Sequence, residues 1–144
     1  MLAVPIIKFK KLWGYQLHED AFVYTELLGW RIVTDWIELM PSGKLITKKG
    51  YAWDGATGAA DTDDILIASL FHDAVYQLMD EGHLPISCKK IADDLFRDIN
   101  KLTDMPWYRV RWTYRAVRIG GRPSTTANKR PLLTLPKPLT IASS

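Results

Sequence analysis

The chain reads as an α+β protein: a short antiparallel β-meander packed beside three helices, with an extended basic C-terminal arm. Three observations predict this. Runs rich in β-branched and aromatic residues alternate with turn signals in the first third of the chain. Three stretches with helical apolar spacing follow, each bounded by stop signals. The end of the chain combines proline with basic charge unopposed by any acid. A length of 144 residues predicts one domain over 1–121, with 122–144 as a proline-rich arm.

Residues 1–20 read as an irregular start limited by Pro5, with Lys8, Lys10 and Lys11 in solvent. Segments 21–28 (AFVYTELL) and 31–39 (RIVTDWIEL), separated by Gly29, each suit a strand. Met40-Pro41-Ser42-Gly43 is a turn, and 44–48 (KLITK) returns as the third strand. Alternation within 31–39 does not pick a buried face: Ile32 and Trp36 lie on one side, Val33, Ile37 and Leu39 on the other.

The stretch 51–76 organises the rest. It begins with a glycine loop, Asp54-Gly55-Ala56-Thr57-Gly58, and an acidic cap, Asp61-Thr62-Asp63-Asp64, that suits a helix N-terminus. The helix that follows is apolar over most of its circumference and so predicted to be buried. His72 and Asp73 interrupt it. Ser69, His72 and Tyr76 share one face, whereas Asp73 sits about 100° round from His72, so the two cannot pair directly. Both can address one cavity rim; the plainer alternative is a core histidine bonded to a backbone carbonyl, with Asp73 bonded to Ser69 or a nearby loop. Gly82 and Pro85 stop this helix.

A second helix is expected from Ser87, as N-cap, to Leu102, with Ile91, Ala92, Leu95, Phe96, Ile99 and Leu102 as its apolar stripe. Asp93 lies at the stripe's edge, facing either the His72 region or water. Pro106 opens a third helix that ends at Gly120-Gly121. Trp107, Val110, Tyr114 and Val117 should face the core, while Arg111, Arg115, Arg118 and Arg122 form a cationic ridge. From Met105 onward there are six arginines, two lysines and no acid, against eleven acids and four bases over 51–104. This split predicts an acidic partner for the ridge and arm: the acidic body of the chain itself, another protein surface such as a phage structural subunit, or a phosphate-bearing surface or nucleic acid.

Cys88 is the sole cysteine, which excludes internal disulfides and cysteine metal clusters and predicts a structural thiol in a reducing compartment. No secretory signal or membrane-length apolar run is read, which suits the cytoplasm. No zinc motif, P-loop or dinucleotide glycine pattern is present, and His18 and His83 do not complete an HD-type phosphohydrolase set.

Trp53-Asp54-Gly55-Ala56-Thr57, His72-Asp73-Ala74-Val75-Tyr76, Asp93-Asp94-Leu95-Phe96 and Ala116-Val117-Arg118-Ile119-Gly120-Gly121 occur in this order. As a set they resemble a phage- and prophage-borne family of uncharacterised small proteins, over roughly residues 15–121. That resemblance implies a phage protein made in the host cytoplasm or carried in the virion.

The H-D-x-x-Y helix followed by a D-x-x-F helix is also similar to the core of calcium-dependent secreted phospholipases of the A-two type, although their Y-G-x-G calcium loop is lacking. That likeness implies His72 as general base for a water, with Tyr76 and Asp93 fixing its tautomer. It implies Asp73 as a calcium ligand alongside the loop that contains Asp54 and Gly55. The expected activity is then calcium-assisted ester hydrolysis; the alternative is a non-catalytic virion, assembly or host-factor-binding protein that uses its basic arm.

Overall fold

In a computed structural model, the residues described are 9–11, 15–53 and 63–120. The elements run β1 (Phe9–Lys11), β2 (Tyr15–Leu17), β3 (Ala21–Tyr24), β4 (Ile32–Val33), β5 (Ile37–Leu39), β6 (Lys44–Thr47), β7 (Ala52–Trp53), α1 (Asp63–Asp80), α2 (Lys89–Leu102) and α3 (Trp107–Gly120). The fold is α+β, with antiparallel strands beside three helices among the described residues.

The larger sheet has strand order β3-β6-β5-β4, so β4, β5 and β6 form the meander and β3 closes its other edge. Segment 31–39 is a hairpin and not a single strand. Ile32 pairs with Leu39 and Val33 with Glu38, and the Thr34 amide bonds the Ile37 carbonyl at 2.9 Å. The Thr34 hydroxyl fixes the turn by accepting from the Ile37 amide at 2.9 Å. That reversal is why a single alternation failed to fit. Ala21, Val23, Ile37, Leu39, Leu45 and Thr47 point inward, while Phe22 and Tyr24 stay exposed.

The start of the chain is more regular than expected. β1 and β2 pair antiparallel, and β2 pairs with β7, forming a second, three-stranded sheet. Strands this short give little propensity signal, and it is β7, distant in sequence, that supplies the pairing partner.

α1 is the core of the molecule. Ile65, Ala68, Leu70, Phe71, Ala74, Val75 and Leu78 are fully buried, as expected of a helix apolar nearly all round. It ends in a Schellman turn: the His83 amide bonds the Leu78 carbonyl at 2.8 Å and Gly82 takes φ +83°. A single 3-10 turn, Ile86–Cys88, precedes α2, so the N-cap is Cys88 and not Ser87, and no side chain caps it. α2 packs between α1 and α3.

Candidate functional site

His72 lies in the middle of α1, and Tyr76 follows it by one turn on the same face. Their rings are 4.2 Å apart, and Phe96 of α2 closes on the imidazole at 5.2 Å. One turn earlier, the Ser69 hydroxyl accepts the Trp53 indole N–H at 3.1 Å and donates to the Leu66 carbonyl. β7 is thereby tied to the same face of α1.

Asp93 of α2 is fully buried and receives four donors. His72 Nε2 is 2.7 Å and the Tyr76 hydroxyl 2.9 Å from Oδ1. Lys89 Nζ at 2.7 Å and Arg118 Nη1 at 2.9 Å donate to Oδ2. Lys89 also donates to the carbonyls of Val117 and Arg118 at 3.1 and 3.2 Å, where the last turn of α3 concentrates negative partial charge. One carboxylate therefore joins all three helices.

A buried carboxylate is tolerable only when its lone pairs are met, and here both oxygens are doubly engaged. Burial pushes the Asp93 carboxyl up, but the hydrogen bonds from His72, Lys89 and Tyr76 outweigh it and hold the group below the usual carboxylate range. Burial, and then the bond to Asp93, push the Tyr76 phenol far above its ordinary range, so it stays a donor. A carboxylate only accepts, so His72 Nε2 carries a proton toward Asp93, and whenever the ring is neutral its lone pair falls on Nδ1.

The structure thus brings His72, Tyr76 and Asp93 into direct contact. Asp73 is half-buried on the neighbouring face of α1 and is engaged in a polar contact of its own. Asp54 and Gly55, the other proposed metal ligands, lie outside the described residues, as do Arg122 and the arm. Among the described residues no group of three or more His, Cys, Asp or Glu converges to hold a metal ion.

The predicted arginine ridge divides. Arg111 and Arg115 are exposed, whereas Arg118 turns onto Asp93. Trp107, expected in the core, is 74% exposed, because the inward face of α3 centres on Val110, Thr113 and Val117. Cys88 is buried, and that burial raises its thiol pKa.

Sequence reasoning missed Lys89 and Arg118 as members of the site. Lys89 stands four residues before Asp93 on one helix, a spacing that signals an ion pair. Arg118 carried no comparable signal.

Comparison with protein-family models, with curated proteins and with solved structures finds no match to this chain. No described helix is long and apolar enough to cross a membrane.

Proposed function

We propose that the chain is a small His-Asp hydrolase of a phage- or prophage-borne kind, in which His72 is the general base for ester cleavage. The observation that carries this reading is the 2.7 Å bond between His72 Nε2 and Asp93 Oδ1. In this reading it holds the tautomer, and Nδ1, with no further hydrogen bond among the described residues, is the atom that takes the proton of a water. The His72 side chain keeps 9% of its surface exposed.

In the proposed reaction a water gives its proton to Nδ1 as its oxygen bonds the ester carbonyl carbon. Collapse of the tetrahedral intermediate breaks the bond to the leaving alkoxide, which takes that proton from His72. Asp93 steadies the transient imidazolium, and Tyr76 holds Asp93 in register.

Calcium is the candidate cation, with Asp73, Asp54 and the Gly55 region as its proposed ligands. When bound it supplies positive charge toward the developing oxyanion. Calcium takes six to eight oxygens in general, and the described residues alone do not build such a site, so no step above runs through it.

Purified protein should hydrolyse a chromogenic short-chain ester, tested with and without calcium. His72→Gln should lower the rate by about 10²–10⁴-fold while the thermal transition is retained. An inactive wild type under both conditions, or equal activity in His72→Gln, overturns the hydrolase reading.

The second reading is a non-catalytic virion, assembly or host-factor-binding protein. Two observations favour it. Asp93 with four donors from three helices suits a packing joint, and α3 presents a large exposed aromatic and cationic face.

A further inference from the structure

We propose that the outer face of α3 binds single-stranded nucleic acid. This rests on the binding reading of α3 and is independent of the His72 site.

The helix turns Val110 and Thr113 inward and leaves two parallel ridges outside, each with i→i+4 spacing. One ridge is Trp107-Arg111-Arg115-Ile119; its neighbour is Tyr108-Trp112-Ala116. Trp107, Tyr108, Trp112 and Ile119 are each more than half exposed. Together the two ridges line an open cavity of about 440 Å³, and no carboxylate is among its lining residues.

The placement of the charges decides between occupants. Arg111 and Arg115 stand in the middle of the face, with Trp107 and Ile119 at the ends of their ridge and Tyr108 and Trp112 alongside. A helix seated in a bilayer keeps its charges at the polar edge and its apolar residues at the centre. A protein interface admits arginine beside aromatic residues at its centre, but two neighbouring arginines there would each need a carboxylate buried opposite, which a poly-L-glutamate probe tests. A second copy of the chain would set arginine against arginine.

A single strand needs the opposite layout: cations that follow the phosphates beside rings on which bases stack. Arg111 and Arg115 are one turn apart, about 6 Å along the helix, a spacing that suits successive phosphates of an extended strand. Tyr108 and Trp112 repeat with the same period on the adjacent ridge. The sequence from Met105 onward contains eight basic residues and no acid, a surplus suited to a polyanion.

The test uses the full chain and follows tryptophan fluorescence with an oligothymidylate of about 12 nucleotides, within the span that such surfaces cover. Poly-L-glutamate and phosphatidylglycerol-containing vesicles serve as the competing probes. The oligonucleotide should quench the emission and bind in preference to both. Trp112→Ala should weaken binding by roughly 5- to 150-fold, the range that stacking one base is worth. Trp112→Phe should restore most of it. Arg111→Ala should make the dependence of log affinity on log salt shallower by about 0.7.

Equal binding of poly-L-glutamate, with no effect of Trp112→Ala, overturns the nucleic-acid assignment while the binding reading survives. Preference for the vesicles overturns it in favour of a membrane surface. No binding of any probe overturns both.

Discussion

Asp93 shows how a single buried charge can be both a weak point and a joint. Removing the carboxylate strands Lys89 and Arg118 beside each other and leaves His72 and Tyr76 without their acceptor. Breaking a buried pair costs about 3–5 kcal/mol. The lower end is expected here, because the Arg118 side chain is about one-third exposed and screened by water. Asp93→Asn should therefore lower the denaturant-derived stability by about 3 kcal/mol, and an unchanged midpoint would remove Asp93 from its role as a joint. Acid should act on the same group. Its folded pKa lies below the unfolded value of about 3.9, so its contribution is complete above that value and lost as pH falls through the folded pKa. Wild-type stability should fall on acidification below about pH 4. Asp93→Asn should show a shallower fall over that range.

At the level of elements, the turns carry the tightest constraints. Gly43, between β5 and β6, has φ +90°, and a Cβ there would sit 2.2 Å from the Thr25 carbonyl oxygen. That oxygen belongs to the strand end where the Thr25 amide and hydroxyl both bond the Gly43 carbonyl at 2.8 Å. Gly82 also has positive φ, but a Cβ there meets nothing within 4 Å. Gly82→Ala should cost about 1 kcal/mol of backbone strain, and Gly43→Ala distinctly more, because backbone has to move as well. Equal losses for the two variants in chemical denaturation would contradict this. The helices were legible because their apolar spacing is local: α1, α2 and α3 all announce their extents and stops within a few turns, although the core face of α3 was misplaced at Trp107. The strands were less so. The 31–39 hairpin reads as one strand because Thr34-Asp35-Trp36 contains no glycine or proline, and the turn depends instead on the Thr34 side chain. β2 is stabilised through β7, whose position cannot be read from either run alone.

Over the whole molecule, the candidate site was legible where an ionisable residue interrupts an apolar helix face, as His72 and Asp93 do. It was not legible where packing alone decides. Arg118 belongs by sequence to a surface ridge, and only the seating of α3 on α2 brings its guanidinium to a carboxylate 25 residues away. Trp107 reads as core by its helical spacing with Val110, Tyr114 and Val117, yet it sits at the open first turn of α3. This dependence on α3 leads to a prediction about where the chain can be cut. The described buried core reaches Val110 and Thr113, with Val117 packed against it. Arg118 and the Val117 and Arg118 carbonyls then complete the polar joint on Asp93 and Lys89. A chain ending after Gly121 keeps every one of these groups and should retain the wild-type helical signal and thermal transition. A chain ending after Ala116 loses Val117 and Arg118, leaving Lys89 to balance Asp93 without its two carbonyl partners. It should be less stable by about 3 kcal/mol or more, as expected when a partner is taken from a buried charge. Circular dichroism melts of the two truncations would decide the matter. Equal stability would mean that α3 only covers the core, while loss of structure after the Gly121 cut would mean that 122–144 belongs to it.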